Sequence, residues 1–113
     1  MTLIYKLLDA PSWMAAQAAG VFKGSAVDAR DGFIHFSDAA QAQETARLHF
    51  KGACDLVLLS VESTRFGEAL KWEASRGGAL FPHLYGDLPV DAVIEARALE
   101  LDADGVARLG TLP

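Results

Sequence analysis

The sequence holds one cysteine and no asparagine. A lone thiol, Cys54, can form neither an internal disulfide nor a cysteine-rich zinc site. Without asparagine there is no acceptor for N-glycosylation. No apolar run approaches the ~18–20 residues that cross a bilayer. The opening residues, Thr2-Leu3-Ile4-Tyr5-Lys6, place no basic stretch ahead of a long apolar one, so no signal peptide is expected. Basic residues are also scarce: 10 against 15 acids, a net charge of −5 and a pI near 5.0. Such a surface repels phosphate backbones and argues against non-specific nucleic-acid binding. Internal repeats and low-complexity tracts are missing. So are a G-x-G-x-x-G turn, a P-loop, H-E-x-x-H, G-x-S-x-G and a paired C-x-x-C, which argues against Rossmann, P-loop, zincin and α/β-hydrolase chemistry. These absences together describe a soluble, cytoplasmic chain with no membrane or nucleic-acid partner.

What is present is an ordinary globular balance. Of 113 residues, 51% are hydrophobic and 22% charged, enough to fold as one domain spanning 1–113. Leu3 to Leu8 reads as a strand. Asp9 can cap a helix with Pro11 in its first turn and Gly20 as its stop. Lys23 to Arg30 reads as a loop, and Asp31-Gly32 as a turn. Phe33 to Ser37 reads as a strand with Phe33, His35 and Ser37 on one face. Ser37 or Asp38 then starts a helix to about Phe50, with Ala39, Ala42, Ala46 and His49 on its inner stripe. The apolar run within Asp55 to Glu62 predicts a central strand covered on both faces. A helical turn over Ser63 to Ala69 and a strand at Leu70 to Glu73 follow. Leu80 to Tyr85 is extended, but Pro82 assigns it to an edge or loop. Val90 to Leu101 reads as a long strand, turning at Asp104-Gly105 into Val106 to Leu109. The sum is an α+β domain.

Three segments could carry chemistry. In the first, His35 and Ser37 share a strand face next to a helix start, a corner suited to an anion. A core histidine and a simple helix cap explain the same residues equally well. In the second, Phe81, His83 and Tyr85 point one way, offering proton donors, acceptors and a stacking surface. Packing of an aromatic cluster over the core is the competing account. In the third, Lys71-Trp72-Glu73, the carboxylate matters if it meets an imidazole, whose tautomer it would fix. His49 reads as a packing residue. A zinc site from His35, His49 and His83 has no short ligand spacing behind it, so no metal is expected.

In this order, Asp31-Gly32-Phe33-Ile34-His35-Phe36-Ser37, Leu70-Lys71-Trp72-Glu73 and Leu80-Phe81-Pro82-His83-Leu84-Tyr85-Gly86 resemble the bacterial domain-of-unknown-function family 952. The likeness runs over nearly the whole chain. It implies a fold similar to the ADP-ribosyltransferases: a split, mostly antiparallel sheet with two main helices, gripping NAD in its central cleft. There NAD is a substrate rather than a resident cofactor. Gly32 to Ser37 matches the superfamily's Gly-x-x-x-x-Ser segment beside the nicotinamide. The match carries over Ser37 and His35 as candidates; on an ADP-ribosyltransferase-type reading of the residues above, His35, Glu73 and His83 are the candidate catalytic groups and Ser37, Trp72 and Tyr85 the candidate ligand contacts. The superfamily's glutamate lies on a late strand, where this chain has Glu95 and Glu100, whereas Glu73 comes before His83 and Tyr85. A binding module for a nucleotide or small anion, an accessory protein without ligand, and a Ser37-based hydrolase are the alternatives.

Overall fold

A computed structural model describes residues 2–113; Met1 lies outside the described residues. Among the described residues there are eight strands and three α-helices, the helices falling between the first four strands. The strands are β1 (Leu3–Asp9), β2 (Val21–Phe22), β3 (Ile34–His35), β4 (Leu56–Glu62), β5 (Leu70–Ala74), β6 (Leu80–Leu84), β7 (Leu88–Pro89) and β8 (Val93–Ala98). The helices are α1 (Ala10–Ala19), α2 (Ala26–Asp31) and α3 (Ala42–His49). Two three-stranded sheets, ordered β1-β4-β8 and β3-β6-β5, are joined by a single bridge between Tyr5 and Ser37. A short β2-β7 ribbon completes the set, and every pairing is antiparallel. This is an α+β architecture.

β4 is central, as its apolar run requires. Val57, Leu59 and Val61 face one core with Ile4, Leu8, Ile34, Phe36 and Leu84. Leu56 and Leu58 face a second core with Tyr5, Leu7, Ala42, Ala46 and Leu109. The β1-β4-β8 sheet is thus covered on both faces, by α1 and the second sheet on one side and by α3 and the C-terminal segment on the other. Leu59 is fully buried. Leu59→Ala is expected to cost about 2–5 kcal/mol and to lower Tm by roughly 10–20 °C in a thermal melt followed by circular dichroism.

α1 forms where expected. Asp9 accepts hydrogen bonds from the Ser12 N–H at 3.0 Å and the Ser12 hydroxyl at 2.7 Å, and Gly20 ends the helix at φ +82°. Several other segments differ from the sequence reading. The expected loop at Lys23 to Arg30 contains α2, too short to show a hydrophobic period but closed by a capping box between Ser25 and Asp28. The Asp31-Gly32 turn is present, as the left-handed cap that ends α2. β3 covers only Ile34 and His35, because the chain leaves β6 to bridge β1 at Ser37. α3 begins at Ala42, after a turn that Asp38 closes by accepting the Gln41 N–H at 2.8 Å. His49 is exposed, and Phe50 takes the inward place after Ala42 and Ala46.

β6 is the middle strand of its sheet, not an edge. Pro82 is tolerated because the ladder uses its carbonyl, which accepts the Phe36 N–H at 3.0 Å. At the C-terminal end, Val90–Ala92 is a 3₁₀ turn, so β8 is shorter than the expected strand. The Asp104-Gly105 turn is present, with Asp102 accepting the N–H groups of Asp104 and Val106, but it leads into a single bridge, Leu101 to Ala107.

Candidate functional site

The Tyr5–Ser37 bridge fixes where the two sheets part. Tyr5 and Ser37 exchange backbone hydrogen bonds of 2.8 and 2.9 Å. Two residues further along β1, Leu7 presents its N–H and C=O on the same side, as antiparallel alternation requires. Among the described residues no strand meets it there. The His35 N–H, which continued pairing would aim at β1, donates instead to Asp28 Oδ1 at 3.1 Å. A cleft of about 700 Å³ opens at this split. All three histidines of the chain line it.

One wall is built on Asp28. Its carboxylate accepts from Lys6 Nζ at 3.0 and 3.2 Å, from the Ser25 N–H at 2.8 Å, and from both the main chain and the ring of His35. The ring contact, Nδ1 to Oδ1, is 2.6 Å. Gly24 makes room for this knot: at φ +114°, an added Cβ would stand 2.8 Å from the Asp28 Cβ. The second His35 nitrogen, Nε2, lies 2.9 Å from Asp31 Oδ2. Both ring nitrogens of His35 thus lie against carboxylate oxygens, which fixes the ring between Asp28 and Asp31.

Burial pushes the Asp28 carboxyl up, but the Lys6 ammonium and the hydrogen bonds from Ser25 and His35 outweigh it and hold the group below its ordinary value. Burial also lowers the Lys6 ammonium, against the pull of Asp28. Because the folded value of Asp28 is depressed, its contribution to stability is complete above the unfolded carboxylate value and is lost as pH falls through the folded one. Tm is therefore expected to drop below about pH 4, the ordinary aspartate range, and the drop to flatten in Asp28→Asn. Melts from pH 7 down to strongly acidic buffer check this.

A second wall is the face of the β3-β6-β5 sheet whose His35, Phe81 and His83 line the cleft, with Glu73 paired beside Phe81 on the same face. His83 is buried, and its Nδ1 lies 2.8 Å from Glu73 Oε1. The Tyr85 hydroxyl donates to the same oxygen at 2.7 Å. Hydrogen bonds from Tyr85 and then His83 hold the Glu73 carboxyl below its ordinary value, and Glu73 in turn raises the Tyr85 phenol. Phe33 stacks on the His83 ring at 4.0 Å between centroids and 24° between planes. The imidazole is thus fixed by a carboxylate at one end and an aromatic ring across its face. With Nδ1 donating to Glu73, the neutral ring presents a lone pair at Nε2. Nε2 has no protein partner among the described residues, and His83 lines the cleft. The two imidazole centroids are 5.6 Å apart.

The structure brings together His35, Ser37 and His83 as cleft-lining residues. The Ser37 hydroxyl is 2.9 Å from Thr45 Oγ1 and caps no helix. Glu73 and Tyr85 stand behind His83 and reach the cleft through it. Trp72 pairs with Pro82 on the opposite face of the sheet and is exposed, so it joins none of these groups. His49 sits along the cleft without the core packing expected of it. Glu95, on exposed β8, lies outside the cleft. Sequence reasoning missed Lys6, Asp28 and Asp31. The spacing Ser25-x-x-Asp28 was the available signal, since it marks a helix start that places Asp28. Nothing local marks Lys6, whose role appears only when β1 meets α2.

Fold and site thus define a class: an α+β protein with two antiparallel sheets parted around a histidine-lined cleft. The family described as "Protein of unknown function (DUF952)" matches residues 7–96, and the chain belongs to it. The crystal structure of protein CC0527 from Caulobacter crescentus is 60% identical, covers 96% of each chain, and superposes with a TM-score of 0.95. The solution NMR structure of CC0527 gives 61% identity, coverage of 97% of this chain and 95% of that one, and a TM-score of 0.89. Among curated proteins none matches. No helix is long and apolar enough to cross a membrane among the described residues.

Proposed function

We propose that the cleft binds a nucleotide of the NAD type and that the chain is an ADP-ribosyltransferase-like enzyme with NAD as substrate. The observation that carries this reading is His83, whose Nδ1 is held by Glu73 while Nε2 opens on the cleft. That is the arrangement of a positioned general base. In the reaction, the bond from ribose C1′ to the pyridinium nitrogen breaks. Nicotinamide leaves as a neutral molecule with the electron pair, and an oxocarbenium-like ribose remains. A hydroxyl or water attacks C1′ and passes its proton to His83 Nε2. Such chemistry depends on positioning and charge stabilisation more than on covalent catalysis. Glu73 acts through His83 and is a positioning residue rather than a catalytic one. The split between the sheets and the resemblance at Gly32 to Ser37 support the same reading.

The test is incubation with NAD and chromatographic detection of free nicotinamide. Release above the blank rate is expected. A specific observation favours a second reading: both ring nitrogens of His35 are taken up by the carboxylates of Asp28 and Asp31, which leaves neither open to a ligand. On that reading the same cleft binds the nucleotide without turnover. Saturable binding with no nicotinamide released over a long incubation would select it.

A further inference from the structure

Arg76 lies in the connection between β5 and β6, half-buried, and lines the cleft. Its guanidinium sits over the Phe81 ring, 4.9 Å from the centroid. It donates one hydrogen bond, to Thr45 Oγ1 at 3.4 Å, and that oxygen is 2.9 Å from the Ser37 hydroxyl. Among the described residues no carboxylate pairs with it. Glu44, whose charge reaches Arg76, is held in a two-pronged pair by Arg47. A guanidinium is permanently charged and carries five N–H donors in a rigid fork. When it is drawn away from water, an anion normally answers it.

The other cations of the cleft are already answered. Lys6 is bound to Asp28, and Arg30 is bound to Asp31. That leaves Arg76 as the cleft guanidinium with no carboxylate partner among the described residues; Thr45 Oγ1 beside it accepts from Arg76 and donates its own proton to the Gln41 carbonyl at 3.1 Å.

We infer that Arg76, Thr45 and Ser37 form an anion subsite that takes the phosphate or diphosphate group of the ligand. A guanidinium fork suits phosphate oxygens, and the Ser37 hydroxyl can turn its proton from Thr45 to the anion, while Thr45 holds both groups in place. The placement relative to His83 is informative. Phe81 and His83 share a face of β6 two residues apart, about 7 Å along the strand. A diphosphate at Arg76 therefore leaves a ribose attached to it within reach of His83. This subsite rests on the reading of the cleft as a nucleotide site and names the charged part of its ligand.

The test is titration calorimetry at low ionic strength with two probes, sodium pyrophosphate and adenosine, on the wild type, Arg76→Ala, Arg76→Lys and Thr45→Val. Pyrophosphate affinity is expected to fall at least about tenfold in Arg76→Ala, in the range for one charge-assisted hydrogen bond. A partial return is expected in Arg76→Lys, and a smaller loss in Thr45→Val. Adenosine affinity is expected to be unchanged in all three. A melt of each variant shows whether it is folded; Arg76 is on a half-exposed loop, so Tm should stay within a few degrees. Unchanged pyrophosphate affinity in Arg76→Ala, or no pyrophosphate binding to the wild type at millimolar concentration, overturns the subsite. Pyrophosphate binding through Arg76 without any adenosine binding upholds the subsite and overturns the NAD-type reading instead.

Discussion

Replacing Asp28 with asparagine is expected to lower Tm by roughly 10–20 °C, a loss of about 3–5 kcal/mol. Most of that cost comes from the positive charge that loses its counter-ion. Lys6 projects from β1 and is 7% exposed, and Asp28 is its carboxylate partner. An ammonium stranded in that position costs several kcal/mol after relaxation. Asparagine also brings an NH2 group into a ring of donors, namely Lys6 Nζ, the Ser25 N–H and the His35 ring. Adding Lys6→Met to Asp28→Asn should recover part of the loss, because the stranded charge is then removed. A Tm for Asp28→Asn within about 2 °C of wild type would show that water reaches Lys6 and that the wall is not built on this pair. A double variant no more stable than Asp28→Asn would locate the cost in Ser25 and His35 instead.

His83→Gln is expected to lower nicotinamide release by about 10²–10⁴-fold with little change in nucleotide affinity. Glutamine keeps most of the volume beneath Phe33 and can still donate to Glu73, but its amide takes up no proton near neutral pH. A loss confined to kcat assigns His83 to proton transfer. A parallel loss of affinity would make it a binding residue, and unchanged turnover would remove it from the reaction. Glu73→Gln separates position from chemistry. The carboxylate accepts from both His83 and Tyr85, so its removal frees the tautomer of His83. The kcat should then fall with nucleotide affinity unchanged, since the tautomer that presents the Nε2 lone pair is no longer fixed. A purely structural Glu73 would change the amount of folded enzyme and leave kcat per folded molecule in place.

Much of the frame was legible because it obeys local rules. Leu56 to Val61 is apolar except at Ser60, and β4 is buried on both faces. Asp9, Pro11 and Gly20 bound α1 by ordinary capping. Two kinds of feature were not legible. Pro82 obeys a rule about donors, but a middle strand can accept it where only its carbonyl is needed, and this depends on Phe36 arriving from β3. α2 is six residues long, too short for a period to emerge. The site divides the same way. His35, Ser37 and His83 were named from residue type and strand alternation, and they line one cleft. Trp72 followed from its neighbours in sequence, yet alternation sends it to the face opposite Glu73. Asp28 is 22 residues from Lys6, and only the crossing of β1 and α2 brings the two together.

A nucleotide seated in the split between the sheets must meet His83. Long-range ¹H–¹⁵N NMR of the imidazoles during titration with ADP-ribose reads that meeting at the atoms concerned. A saturable shift of His83 Nε2 is expected, with a far smaller one at Nδ1, which Glu73 already holds, and no movement of the Trp13 indole on α1. Unmoved His83 nitrogens at millimolar ADP-ribose, in a protein that remains folded, would take the nucleotide out of the cleft.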